Sequence, residues 1–147
     1  MANVLERPSC DERARVLVAD DHQSLLDRVV SLLDNEFEIV GTVTDGAALV
    51  QAEATLSPDL LVIDISMPGM SGLEAASRIR RRGSHAVVVC LTAHQEPEIV
   101  EAAWRAGVLG YVTKTSLAQD LLPAVRAALD GRRFVSAQAR GVEPRHA

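Results

Sequence analysis

Lysine is almost missing from this chain. Lys114 is the only one among 15 basic residues; every other is arginine. Where any cation would serve, the sequence uses arginine, so the one lysine suits a position needing a compact point charge rather than a planar guanidinium. Aromatic residues are 3% of the chain, with one Trp, one Tyr and two Phe. A core must therefore be built from Leu, Val, Ile and Ala. There are two cysteines. Cys10 lies in a polar N-terminal stretch and Cys90 inside an apolar run, which excludes a disulfide framework or a cysteine metal site. No stretch approaches the ~18 consecutive apolar residues of a membrane helix. The start has no basic segment followed by an apolar one, so no signal peptide is read and a cytoplasmic protein is expected. A net charge of −5 speaks against a nucleic-acid-binding face on the main body.

What is present is a strong alternation of two patterns. With 147 residues, 48% of them hydrophobic, the chain fits one domain with a sizeable core. Residues 1–14 are polar and irregular and are expected to form a flexible leader. Short runs rich in Val, Ile and Leu follow at 16–19, 37–43, 60–63, 86–91 and 109–112. Such runs predict strands buried on both faces, as in a parallel sheet. Between them apolar residues recur at spacings of three and four, as at Leu25, Leu26, Val29, Val30, Leu32 and Leu33. The last such stretch, 117–129, predicts a helix with Leu121, Leu122, Val125, Ala128 and Leu129 on one face. Ser71 stands three residues before Glu74, a capping-box spacing, and Ser116 is placed to cap the final helix. Five strands alternating with five helices predict an α/β, doubly wound (βα)5 fold. Its commonest small form is the flavodoxin-like sheet of order 2-1-3-4-5. Residues 133–147 are expected to be a C-terminal tail or linker remnant.

In such a sheet, ligands bind beyond the carboxyl ends of the strands, where the strand order reverses. Strand 1 ends in Asp20-Asp21, strand 3 in Asp64, strand 4 in Thr92, and strand 5 near Tyr111 and Lys114. Three carboxylates, a hydroxyl and the only lysine thus meet on one rim. Carboxylates so close raise one another's pKa unless a cation joins them. Hard oxygen ligands suit Mg²⁺, which keeps waters and leaves room for phosphate oxygens. A carboxylate can itself attack phosphorus to give an aspartyl phosphate. The transferred group needs positive charge placed in advance, which Mg²⁺ and Lys114 can supply. Thr92 can donate to a remaining oxygen. Pro68-Gly69 signals a turn after Asp64, which lets the Ser66 backbone carbonyl point back at the metal.

Taken singly, these residues have plainer readings. Asp20 or Asp21 can cap the next helix, Asp64 can be a turn residue, Thr92 can cap a helix near Gln95, and Tyr111 can be core edge. His22, His85, His94 and His146 show no metal-ligand spacing among themselves, although His22 follows the acid pair at the rim. Arg80-Arg81-Arg82 reads as the solvated end of a helix. The tail arginines Arg132, Arg133, Arg140 and Arg145 read likewise as solvated.

The motifs Asp20-Asp21, Asp64-Ile65-Ser66-Met67-Pro68-Gly69-Met70-Ser71-Gly72, Leu91-Thr92-Ala93 and Gly110-Tyr111-Val112-Thr113-Lys114 together resemble the receiver domain of bacterial two-component response regulators. The resemblance runs over residues 15–132 and implies the CheY-like form of the flavodoxin-like fold. The wording of 107–114 and the ending Gly131-Arg132-Arg133-Phe134-Val135 are most similar to receivers that precede a LuxR-type helix-turn-helix. It implies Asp64 as phosphoacceptor and Asp20, Asp21, Asp64 and the Ser66 carbonyl as Mg²⁺ ligands. It also implies Lys114 on the phosphoryl oxygens, Thr92 as switch hydroxyl and Tyr111 as switch aromatic. The implied donor is a sensor histidine kinase or a small phosphodonor such as acetyl phosphate, and homodimerisation is a family expectation. The only chemistry implied is the domain's own Mg²⁺-dependent phosphoryl transfer and dephosphorylation, not that of an enzyme with an outside substrate. About fifteen residues follow Arg132, too few for a helix-turn-helix. DNA contact is thus expected only through an output domain not present in this chain.

Two other classes compete. A haloacid-dehalogenase-like phosphatase needs a second Asp two residues after the nucleophile, where this chain has Ser66. A phosphorylation-independent interaction module, or a stand-alone regulator acting by protein contact, is the remaining alternative. Degenerate receivers of that kind usually lose an acid or the lysine, and this chain keeps them.

Overall fold

The computed structural model describes residues 13–93 and 97–136. Most of the expected leader and tail lies outside the described residues, as do Cys10, His94, Gln95, Arg140, Arg145 and His146. Six strands and five helices follow in the order β1 (Arg15–Ala19), α1 (Gln23–Leu33), β2 (Glu38–Val43), α2 (Gly46–Leu56), β3 (Leu60–Asp64), α3 (Gly72–Arg81), β4 (Val87–Thr92), α4 (Pro97–Arg105), β5 (Gly110–Thr113), α5 (Leu117–Leu129) and β6 (Phe134–Val135). A short 3-10 turn, Lys114–Ser116, joins β5 to α5.

All strands pair in parallel, in the order β2-β1-β3-β4-β5-β6. Alternation along the strands divides the core into two layers. Val16, Val18, Leu60, Val62, Val89, Leu91 and Val112 pack against α1 and α5. Leu17, Ala19, Leu61, Ile63, Val88, Cys90 and Tyr111 pack against α2, α3 and α4. Helix α1 buries Leu26, Val29 and Leu33. Helix α5 buries Leu117, Leu121, Ala124, Val125 and Ala128. Both sets follow the three-and-four spacing of one helix face. Leu129 departs from the expected face of α5 and is exposed.

The flavodoxin-like reading holds, with one correction: the sheet has six strands, not five. Helix α5 stops at Gly131, whose φ of +77° lies in the left-handed region that glycine adopts without strain. The chain then returns along β5. The Phe134 N–H donates to Leu109 O and the Ser136 N–H to Tyr111 O, each at 2.9 Å. Two residues are too short a run for periodicity to reveal, and in the sequence they look like the start of the tail.

The caps differ in part as well. Ser71 Oγ accepts from the Glu74 N–H as the capping box requires. Ser116 makes no side-chain cap to α5. Asp45 caps α2 by accepting from the Ala48 N–H at 2.8 Å. Helix α1 has His22 at its N-cap and no side-chain cap, so neither Asp20 nor Asp21 is held there as a helix cap.

Candidate functional site

Strand register builds the site. Ala19, Ile63, Cys90 and Tyr111 lie level across β1, β3, β4 and β5. One residue further, Asp20 and Asp64 leave neighbouring strands side by side. Strand β1 sits between β2 and β3, so this is where the chain's course through the sheet reverses, and a crevice opens there. Thr92 and Thr113 pair at the next level, and Lys114 follows.

Asp20 and Asp64 are buried, at 0% and 1% exposure. Asp64 Oδ1 accepts the Ser66 N–H at 3.1 Å. Its Oδ2 lies 3.1 Å from Lys114 Nζ, which is also 3.9 Å from Asp20 Oδ2. Among the described residues neither Oδ2 accepts a hydrogen bond; Lys114 faces both as a charge. His22 Nδ1 stands 3.3 Å from Asp20 Oδ1 and 3.1 Å from Asp21 Oδ1. One ligand atom from each of Asp20, Asp21, His22 and Asp64 fits within 4.8 Å of the others.

Lys114 is one cation facing two buried acids. Burial lifts the Asp64 carboxyl from 3.8 to about 6, the Asp20 charge adds to the rise, and Lys114 and the Ser66 N–H oppose it. The folded protein thus keeps a proton that the unfolded chain releases near its ordinary value. Since the native state binds more protons across this window, stability falls as pH rises from about 4 to about 6 and stays lower above it. At 1.36 kcal/mol per unit the loss is on the order of 2–3 kcal/mol. Asp64→Asn removes it. Without divalent ions, that variant is expected to be more stable than the parent at pH 7.5 by this amount and nearly equal at pH 4. Urea denaturation at the two pH values checks it.

Asp20, Asp21, Asp64 and Lys114 form one cluster, and Thr92 is buried at the adjacent strand end. The Ser66 N–H binds Asp64, while its side chain is exposed. Tyr111 is fully buried in the layer facing α4. Two further residues support the site unannounced. A Cβ on Gly72 would clash with the Asp64 carbonyl oxygen. Buried Ser136 accepts the Thr113 N–H on its Oγ at 3.1 Å, next to Lys114. Gly72 was hidden within an ordinary capping box, and Ser136 lies beyond the expected domain end.

The family profile described as the response regulator receiver domain matches residues 16–126. The chain belongs to this family. The receiver is 36% identical over 121 residues to the transcriptional regulatory protein DesR of Bacillus subtilis, covering 81% of this chain and 60% of DesR. It thus spans less than two thirds of that relative's length. Among solved structures, a LuxR-family two-component response regulator from Aurantimonas sp. SI85-9A1 superposes with a TM-score of 0.83 at 30% identity, over 88% of this chain and 94% of that one. The isolated receiver of RcsB from Salmonella enterica serovar Typhimurium, solved in the presence of the phosphomimetic BeF3−, gives 0.82 at 26% identity, over 90% and 100% of the two chains. Among the described residues of the receiver, no helix is long and apolar enough to cross a membrane.

Proposed function

We propose that Asp64 accepts a phosphoryl group and holds it as a signal. The observation that carries this reading is the Asp64 Oδ2 atom, buried and accepting no hydrogen bond, 3.1 Å from the only lysine. Asp64 Oδ2 attacks phosphorus. The new O–P bond forms as the P–N bond of a sensor kinase's phosphohistidine breaks, and the imidazole leaves with the electron pair. A small acyl phosphate donor loses its carboxylate in the same way. Lys114 offsets the charge on the phosphoryl oxygens, and Thr92 takes one of them by hydrogen bond.

The acidic cluster suits a hard divalent cation, because two buried carboxylates share one lysine there and Asp20 Oδ2 accepts no hydrogen bond among the described residues. Asp20, Asp21, Asp64 and the Ser66 carbonyl would hold Mg²⁺, which when bound neutralises phosphoryl charge. Ser66 stands where a phosphatase would carry its acid, so the acyl phosphate persists rather than turning over an outside substrate.

Phosphorylation then shifts the population between two shapes. The moving parts in this reading are the loop after Thr92, helix α4 and Tyr111. The partners are a cytoplasmic kinase domain, a second copy of the chain, and an output domain, outside this chain, that controls transcription. DesR, a transcriptional regulatory protein longer than this chain, and the BeF3−-treated RcsB receiver support the assignment.

The test is direct. Incubation with Mg²⁺ and acetyl phosphate is expected to add one phosphoryl mass to the intact protein, and EDTA is expected to abolish the addition. An unchanged mass with both reagents present, or full labelling in EDTA, overturns the reading.

A further inference from the structure

His22 is not needed by its helix. It occupies the N-cap of α1 with extended backbone and makes no side-chain cap. Its own N–H donates to Asp20 Oδ1 at 2.8 Å. That bond, with the turn out of β1, holds the ring over the acid pair. The side chain is 66% exposed, yet Nδ1 stands 3.1 Å from Asp21 Oδ1 and 3.3 Å from Asp20 Oδ1.

Adjacent ligands about 2.1 Å from one ion and at right angles lie about 3 Å apart. The imidazole nitrogen and its two carboxylate oxygens stand at such separations, and an Asp64 oxygen completes a set of four atoms within 4.8 Å. A second observation points to a ligand. Asp20 Oδ2 is buried and accepts no hydrogen bond among the described residues, with Lys114 Nζ no nearer than 3.9 Å, so the cluster's own hydrogen bonds leave it incomplete.

Carboxylates and water suit Mg²⁺, whereas imidazole suits Ni²⁺, Cu²⁺ and Zn²⁺. We propose that His22 makes the rim a mixed nitrogen and oxygen site, with Nδ1 joining Asp20, Asp21 and Asp64 as a ligand for imidazole-preferring divalent ions. This rests on the reading that the rim holds a divalent cation. Mg²⁺ is held by the oxygens alone and gains little from the ring. The same crevice therefore prefers a transition ion wherever both are free.

Calorimetric titration of the full chain with NiCl2 and with MgCl2 tests this, on the parent and on His22→Asn. Asparagine is a good N-cap, so the variant keeps α1. The Ni²⁺ affinity is expected to fall at least about tenfold in the variant, while that for Mg²⁺ changes less than about twofold. Excess Mg²⁺ is expected to displace Ni²⁺ from the parent. Equal losses for both ions, an unchanged Ni²⁺ affinity, or Ni²⁺ that Mg²⁺ does not displace would overturn the role of His22. Parent protein that binds no Mg²⁺ would overturn the cation-site reading beneath it, and the inference with it.

Discussion

Asp64→Asn is expected to reduce phosphoryl incorporation from acetyl phosphate and Mg²⁺ to background. The amide keeps the size of the side chain but lacks the anionic oxygen that attacks phosphorus. No neighbour replaces it. Asp20 is buried with its Oδ1 turned to His22, and Asp21 also meets the His22 ring. The loss is expected without a loss of fold, because the same change removes a buried carboxyl that burial and Asp20 both oppose. An inactive variant that is also the more stable one at pH 7.5 separates a chemical role from a structural one. Intact-protein mass spectrometry beside a denaturation curve reads both. Full incorporation in the variant would remove Asp64 from the role.

Gly72→Val is expected to show the largest stability effect. The Cβ it adds would run into the Asp64 carbonyl oxygen and would meet Ile63 Cγ2 at 2.7 Å and the Asp64 carbonyl carbon at 3.0 Å. These are mostly backbone atoms of a central strand, so a side-chain rotation gives no relief. The Gly72 N–H also donates to Ile65 O at 2.9 Å, tying α3 to the end of β3. The helix must move away, at a cost of about 3 kcal/mol or more. For a domain of this size that lowers Tm by roughly 10 °C. Asp64 moves with it, and a displacement near 1 Å slows a positioned reaction by about a hundredfold. Thermal melting and the labelling rate of the folded fraction check the two effects. A Tm within 2–3 °C of the parent, about the shift of 1 kcal/mol or less, would show that the contact is not tight.

Much of the fold was legible because parallel strands buried on both faces leave continuous apolar runs, as at 60–63 and 86–91. Short cues fixed the order of elements. Strand β6 was not legible, since Phe134-Val135 carries no period and its pairing depends on the open edge of β5. The cluster itself was legible because Asp20-Asp21, Asp64 and Lys114 each follow an apolar run. Its electrostatics were not. That burial outweighs Lys114 at Asp64 depends on depth below the surface, which sequence does not encode. Gly72 was hidden for a similar reason: its neighbour Asp64 is close in space, and a capping box looks the same whether or not a carbonyl lies against it. Tyr111 was expected near the end of its strand, but it is the second residue of β5, and alternation turns it into the layer facing α4.

The central claim concerns one atom, and chemical trapping tests it most directly. After incubation with Mg²⁺ and acetyl phosphate, borohydride reduces an acyl phosphate to the alcohol, and peptide mass spectrometry locates the converted residue. Conversion of aspartate to homoserine is expected at position 64 and nowhere else. Conversion at Asp20 or Asp21, or a phosphoryl group retained on a histidine or hydroxyl side chain with Asp64 unmodified, would contradict the account.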